Sequence, residues 1–237
     1  ATSIGDYAFY WKQALQSVTL PNTITSIGMD AFYQCIRLTE ITIPSSVTSI
    51  GSEAFGVCNS LSSVKILGET PPTLEGENTF LTDGSLKIYV PYKYLNDYKN
   101  NEFWRQYSDI DIIMSDTSSF EVEGITYVLD KLTKEVWVSK RKDDKKYTGE
   151  VTIPSQVTFD DDNTTYSVTG IYDEAFKECT GLTSVTIQEG VTSIEELAFF
   201  GCTGLTSVTI PEGVTSIGIK AFYGCKGLTS VTIPSSV

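Results

Sequence analysis

The stretch that decides the fold is residues 194–217, which read IEELAFFGCTGLTSVTIPEGVTSI. The same pattern recurs with a step of 23 residues in two parts of the chain. An Ala-Phe pair marks each copy, at residues 8–9, 31–32, 54–55, 175–176, 198–199 and 221–222. A fixed repeat period of about 20–50 residues is typical of solenoids, in which each repeat forms one coil. A single coil cannot bury its own apolar side chains, but stacked coils share one core. The period therefore predicts stacked coils with the Ala-Phe pairs inside them.

Each copy also contains one L-x-x-V-x-I segment, which predicts a short β-strand. Val208 and Ile210 alternate with hydroxyl side chains, as in a strand that buries one face. Pro211 follows, and because proline has no backbone N–H it ends the strand. Strands of successive coils are expected to run parallel, about 4.8 Å apart. The sequence thus predicts a β-rich repeat solenoid with a 23-residue period.

Composition narrows the classes of function. The chain has a formal net charge of −13 and contains no histidine. Because a protein needs a basic surface to bind the phosphate backbone of a nucleic acid, nucleic acid is not expected as a partner. Without histidine, Ser-His-Asp and Cys-His catalysis and the usual zinc sites are excluded. A hydrolase with two carboxylates stays formally open. Since no motif places such a pair, we predict no enzyme, no metal and no cofactor.

The full repeat, I-x-x-x-A-F-x-x-C-x-x-L-x-x-V-x-I-P, resembles the BspA-like leucine-rich repeat, also called the Treponema pallidum type. The sequence shows this pattern between Ile217 and Pro234, and clear copies cover about residues 1–67 and 171–237. The family occurs in surface and secreted proteins of Bacteroidetes, spirochaetes and some mucosal protozoa. The resemblance implies adhesion to host or microbial surfaces, and a Bacteroidetes-like bacterium as the source.

The repeat period breaks in the middle of the chain. Residues 68–115 contain a strand candidate and a predicted helix over Tyr92–Gln106, and they resemble the C-terminal cap of gut-Bacteroidetes members. Residues 116–170 read as a linker and a β-rich segment that begins a second array. We therefore predict two leucine-rich-repeat arrays, 1–67 and 171–237, with a small α+β capping segment between them. The alternative is one continuous solenoid with two bulky insertions.

The polar residues between the buried strand positions are the candidate binding residues. They are expected to face solvent on the concave side, in two rows: Ser17, Thr19, Glu40, Thr42, Ser63, Lys65, Ser184, Thr186, Ser207, Thr209, Ser230 and Thr232. Such rows can bind protein, glycan or even ice, or they can be soluble filler. They lack Trp, Tyr and Arg, which dominate protein-binding hot spots. We predict a non-catalytic module that binds an extracellular protein or glycan. The alternative is a structural spacer that displays another domain of a longer surface protein.

The five cysteines fall in one repeat column, Cys35, Cys58, Cys179, Cys202 and Cys225. Stacking brings neighbouring Cα atoms to about 5 Å, which is within disulfide range. However, equivalent side chains of a stack point the same way, and the spacing is not C-x-x-C. We therefore predict small buried residues, not a metal or redox set.

Three further features have simple explanations. Several aromatic residues pad the convex face or form an aromatic patch for sugars or partners, namely Tyr10, Trp11, Tyr33, Phe200 and Tyr223. The charge run at residues 140–146 predicts a solvated loop tip. Asp160–Asn163 offers oxygen ligands for Ca²⁺ but lacks the spacing of an EF-hand, so it predicts a solvated turn.

The expected location is extracellular or on the cell surface. No signal peptide opens the chain, and no apolar run of about 18 residues predicts a membrane span. Ala1, Val47 and Val237 share one repeat phase, so copies stacked end to end would nearly keep register. End-to-end self-association is thus one expectation, and an array that continues in a longer protein is the other.

Overall fold

The computed structural model describes residues 2–76, 78–80, 86–107, 113–143, 145–159 and 163–237. The chain forms two compact units, Ala1–Asp116 and Thr117–Val237, which we call unit 1 and unit 2. Each unit has its own hydrophobic core and is built from short strands with little helix. The predicted β-rich repeat solenoid is confirmed. The aspartates of the candidate turn, 160–162, lie outside the described residues.

Unit 1 has two parallel sheets along its coils. Its described strands are β1 (Ser3–Ile4), β2 (Ser26–Ile27), β3 (Glu40–Ile43), β4 (Ser49–Ile50), β5 (Ser63–Ile66), β6 (Thr73–Leu74), β7 (Lys87–Tyr89) and β8 (Ile113–Met114). One sheet has the order β1-β2-β4-β6 and the other has the order β3-β5-β7-β8. Strands of adjacent coils pair in the repeat register, so that Ile41 lies beside Val64 and Val64 beside Ile88.

Unit 2 begins with antiparallel strands and continues as parallel coils. Its described strands are β9 (Thr117–Val122), β10 (Ile125–Asp130), β11 (Val136–Ser139), β12 (Gly149–Ile153), β13 (Gln156–Phe159), β14 (Thr164–Ile171), β15 (Leu182–Ile187), β16 (Ser193–Ile194), β17 (Ser207–Thr209) and β18 (Ser216–Ile217). One sheet has the order β9-β10-β11-β14-β16-β18, with β13 paired to β14, and the other has the order β12-β15-β17. Because β11 pairs with β14 in parallel, the antiparallel strands continue directly into the coils.

The Ala-Phe pairs form the centre of the inner coils, as the repeat pattern predicts, whereas Ala8 and Phe9 of the first copy are exposed. In unit 1 the ring of Phe55 stacks between Phe32 and Phe80, with centroids 5.2 and 5.4 Å apart. In unit 2 the ring of Phe199 stacks between Phe176 and Phe222 at 4.9 and 5.1 Å. Phe55 and Phe199 are fully buried. These parallel stacks follow from the repeat, because each coil places the same ring one strand spacing further along.

The turn around each Ala-Phe pair requires left-handed backbone. The residue before the alanine has positive φ in every repeat copy, as in Glu53 (φ 51°) and Leu197 (φ 57°). A second positive φ follows the phenylalanine two positions later, at Val57 (φ 55°) in unit 1 and at Gly201 (φ 71°) in unit 2. Only glycine adopts this conformation without steric cost. The coil geometry therefore imposes a positive φ on Val57, although a β-branched residue disfavours this backbone conformation.

The segment after β7 is less helical than its sequence predicts. A single helix over Tyr92–Gln106 is wrong in extent, because α1 covers only Leu95–Asn100 and Asn101 is extended (ψ 137°). The Asn101 side chain accepts a hydrogen bond from the Phe103 N–H at 2.9 Å. This break turns Trp104 inward, where its Nε1 donates to the Pro72 carbonyl at 2.7 Å. The Trp104 ring then lies 5.9 Å from Phe80 and continues the aromatic core.

Candidate functional site

The outward side chains of β12, β15 and β17 form one face of unit 2. We call this face, and the equivalent face of β3, β5 and β7 in unit 1, the concave face, after the side on which the sequence pattern is expected to place it. The strand register places Thr152, Thr186 and Thr209 in one row, and all three side chains are exposed. A second row contains Glu150, Ser184 and Ser207. Neighbouring members of a row lie about 4.8 Å apart, because that is the strand spacing. The face is therefore a regular and mostly uncharged array of hydroxyl groups.

The concave face of unit 1 has different chemistry. Its two rows are Glu40, Ser63, Lys87 and Thr42, Lys65, Tyr89, as the registers of β3, β5 and β7 show. Lys65 Nζ lies 3.7 Å from Glu40 Oε2, and the two side chains are 43% and 64% exposed. Charged and aromatic groups thus replace the hydroxyl groups that dominate unit 2.

The structure places each predicted row residue on its expected coil, but four of them lie outside regular strands. Ser17 and Thr19 in the first repeat copy, and Ser230 and Thr232 in the last, are exposed without being part of a β-ladder. Within its unit, each of these segments has a neighbouring coil on one side only. A ladder held from one side is weaker, which explains the irregular backbone.

Sequence reasoning missed four members of the two faces. Lys87 and Tyr89 extend the rows of unit 1, and Glu150 and Thr152 extend those of unit 2. The alternating pattern of residues 86–90 did predict a strand. The missing information was its register, because insertions within residues 68–170 interrupt the 23-residue step.

Many other hydroxyl groups are used to hold the coils together. Thr48 Oγ1 donates to the Thr25 carbonyl at 3.1 Å, and Thr206 Oγ1 donates to the Thr183 carbonyl at 3.0 Å. Thr215 Oγ1 donates to the Thr192 carbonyl in the same way. Each bond joins equivalent positions of adjacent coils. Part of the Ser and Thr content, 55 of 237 residues, is therefore structural and does not belong to a binding face.

The cysteine column has a structural role in the interior. Cys58 Sγ donates to the Phe32 carbonyl at 3.1 Å, and Cys202 Sγ donates to the Phe176 carbonyl at 2.9 Å. The thiols are free, and burial raises the pKa of Cys58 to about 12. No group of three or more His, Cys, Asp and Glu side chains in the described part of the chain has a metal-binding arrangement. The thiol is thus a hydrogen-bond donor to the preceding coil, a role that the sequence pattern did not suggest.

The aromatic residues beside the Ala-Phe pairs form short stacks on the outside of the coils. Tyr10 stacks on Tyr33 at 5.3 Å, and Phe200 stacks on Tyr223 at 5.4 Å. Trp11 is 60% exposed. These contacts fit padding of the convex side, and a patch for sugars or partners stays a prediction.

The parallel coils, the central phenylalanine stacks and the two concave sheets define a leucine-rich-repeat protein. A family model described as the BspA type leucine rich repeat region matches residues 2–121 and 150–237, with six copies. The chain belongs to this family.

Three solved structures show what the chain is similar to. A leucine-rich repeat protein from Bacteroides capillosus is 31% identical over 51% of this chain and 85% of its own, with a TM-score of 0.46. A leucine rich cell surface protein from Faecalibacterium prausnitzii is 22% identical, covering 100% of this chain and 72% of its own, with a TM-score of 0.42. The pneumococcal vaccine antigen PcpA is 16% identical, covering 100% and 60%, with a TM-score of 0.34. No curated protein matches the chain. Among the described residues, no helix has both the length and the apolar character needed to cross a membrane.

Proposed function

We propose that the chain is a non-catalytic binding module that recognises an extracellular protein or glycan through its concave sheets. The observation that carries this proposal is the strand register, which holds rows of polar side chains at fixed spacing on both units. The strands hold the backbone of these positions in place before a ligand binds, so the backbone loses little conformational entropy on binding, and this favours affinity. Extended and rigid surfaces of repeat solenoids suit recognition of macromolecules.

The two faces differ in what they offer to a partner. The unit 1 face contains Tyr89 together with Lys65 and Lys87, and tyrosine is enriched at energetic hot spots. The unit 2 face offers hydroxyl groups, which suit hydrogen bonds to a polar surface. We therefore assign the larger share of the binding free energy to unit 1.

Family membership supports a surface or extracellular location, and we propose that location. A Bacteroidetes-like source and end-to-end association of copies stay predictions. Nucleic acid is not proposed as a partner, because the chain has a net charge of −13.

The test is a screen of the purified chain against extracellular-matrix proteins and mucosal glycans, followed by surface variants. Tyr89→Ala changes the unit 1 face and Thr186→Lys changes the unit 2 face. Thr203→Lys is the matched control, since Thr203 is exposed in the turn that follows Cys202 and lies outside the concave rows. A saturable hit that either face variant weakens, and the control does not, supports the proposal. A hit that no face variant weakens contradicts it.

A second function, a structural spacer that displays another domain of a longer surface protein, is favoured by one observation. Threonine hydroxyl groups such as those of Thr48 and Thr206 bind the preceding coil and stiffen the stack. The screen separates the two functions. A folded chain that binds nothing in it would favour the spacer.

A further inference from the structure

A cluster of cationic side chains in unit 2 lies outside both rows of the concave face. The segment between β11 and β12 contributes Lys140, Lys145 and Lys146, and the next coil contributes Lys177. Together with Arg141, Glu174 and Glu178 they line a cavity of about 270 Å³. Lys146 Nζ donates to the Lys177 carbonyl at 2.8 Å, which ties the segment to the coil. Lys140, Lys145 and Lys146 of the predicted loop tip are therefore also part of the wall of a cavity.

Ion pairs with described carboxylates neutralise some of the cationic side chains of this cluster but not all of them. Arg141 binds both carboxylate oxygens of Asp143, at 2.9 and 3.0 Å, and this holds the pKa of Asp143 well below its usual range. Lys177 pairs with Glu174. Among the described residues, no carboxylate lies within ion-pair distance of Lys140 or Lys146. Lys145 also pairs with Asp143, at 3.6 Å. As far as the described residues go, the ammonium groups of Lys140 and Lys146 thus line the cavity without an ion pair, in a chain with a net charge of −13.

A second cavity, of about 400 Å³, adjoins the first and shares Arg141, Lys146 and Tyr147 with it. The Tyr147 hydroxyl donates to the Ser139 carbonyl and accepts from the Thr126 N–H, so this shared wall is rigid. The rest of the second lining includes Thr148, which supplies a hydroxyl group, together with Glu150 and Thr152 from the two rows of the unit 2 face. The first lining has five cationic and two anionic side chains, and the second has two of each. The first cavity is therefore cationic on balance, and the second is polar and nearly neutral.

We propose that these adjoining cavities bind an acidic polysaccharide. The carboxylate or sulfate group of one sugar lies between Lys140 and Lys146, and a hydroxyl group of the neighbouring sugar binds Thr148. Alternation of charged and neutral hydrogen-bonding subsites matches such a polymer. An acidic peptide fits less well, because protein partners rely on apolar anchors in desolvated pockets and polar side chains predominate in these linings.

The experiment measures binding of four probes by calorimetry: heparin, polygalacturonate, neutral dextran and poly-L-glutamate. Heparin tests the sulfate group and polygalacturonate tests the carboxylate group. At least one of the two is expected to bind, with an affinity that falls as salt rises because the contacts are ionic. Dextran is expected not to bind. If neither acidic polysaccharide binds, or if poly-L-glutamate binds as tightly as they do, the proposal is overturned.

Two double variants locate the site. Lys140→Gln with Lys146→Gln is expected to weaken binding about tenfold or more, because two ionic contacts are lost. Lys220→Gln with Lys226→Gln removes the same charge from exposed positions elsewhere in unit 2 and is the matched control. Equal weakening by both pairs would show non-specific attraction and refute the site. Lys140→Gln alone, which keeps the Lys146 contact with the coil, separates lost binding from lost folding. Tyr89→Ala in unit 1 is expected to change nothing here, so binding through the unit 1 face and binding through these cavities are distinguishable.

Discussion

The concave faces of unit 1 and unit 2 are built on the same coil but present different surfaces. In unit 1 the row through Thr42 continues with Lys65 and Tyr89, whereas in unit 2 the corresponding row contains only threonines from Thr152 to Thr209. The side chains one position away, which point inward, are equivalent in both units. Inward residues therefore fix the coil, and outward residues are free to diverge and to carry recognition.

The largest expected effect tests whether the two interiors are equivalent. Phe55→Ala in unit 1 and Phe199→Ala in unit 2 each remove a fully buried ring from the middle of a stack. Each is expected to lower the unfolding free energy of its own unit by about 3–5 kcal/mol. Urea unfolding followed by tryptophan fluorescence measures the loss. A loss below about 1 kcal/mol in one unit only would show that the interiors are not equivalent.

The next effect is specific to unit 2, where antiparallel strands join the coils. A Cβ atom on Gly170 would lie 2.0 Å from the Trp137 ring, whose strand pairs with that of Gly170. Gly170→Ala is expected to cost roughly 1–3 kcal/mol, because the indole must move within a packed core. Thermal unfolding checks this value. Gly213→Ala is the control in the same unit, since its Cβ would approach no atom closer than 3.6 Å. A loss shared by both variants would contradict the steric argument.

A smaller effect concerns the left-handed turn position, which unit 1 fills with Val57 and unit 2 with Gly201. Val57→Gly is expected to stabilise unit 1 by about 1 kcal/mol, because it relieves a β-branched residue at positive φ. Gly201→Val is the reverse exchange and is expected to destabilise unit 2 by roughly 1–2 kcal/mol. Denaturant midpoints measure both shifts. Destabilisation by Val57→Gly would mean that packing of the valine outweighs its backbone strain.

The smallest effect lies on the concave face of unit 1. Glu40→Gln removes the ion pair with Lys65, whose side chains are both well exposed. The unfolding free energy is expected to change by less than about 0.5 kcal/mol, because exposed ion pairs contribute little. Thermal unfolding at two salt concentrations checks this. A large loss would mean that the charges of this face stabilise the coil and are not free to serve recognition.

Sequence reasoning worked best for positions inside the repeats. Phe55, Cys58 and Leu205 were expected to be buried from their repeat columns, and they are. Members of the same columns in the outermost copies are not fully buried, because Phe9 is exposed and Cys225 is half-buried. It worked less well in the middle of the chain. Asn101 ends α1 early through a hydrogen bond from the Phe103 N–H to its side chain. The position of this break depends on the tertiary hydrogen bond between Trp104 and Pro72. The division into the four segments 1–67, 68–115, 116–170 and 171–237 stays a prediction. The structure itself shows two compact units, Ala1–Asp116 and Thr117–Val237.

The candidate site residues show the same contrast between positions inside the repeats and positions in the inserted segments. Ser184, Thr186 and Thr209 could be assigned to outward rows from their spacing alone. Lys87 could not, because an insertion hides its register against Ser63. Lys146 and Lys177 are 31 residues apart, and only the folded chain brings them to one cavity.

The sequence by itself determined the coil, its period and its inward face. The reason is that the spacing of apolar residues within one repeat is a local property, and it recurs in every copy. The tertiary structure alone decided the register across the insertions, the break in the helix and the cationic cavity. Those features depend on which segments, distant in the sequence, contact each other in the folded chain. That outcome is set by packing between distant residues, and no pattern within a single repeat encodes it.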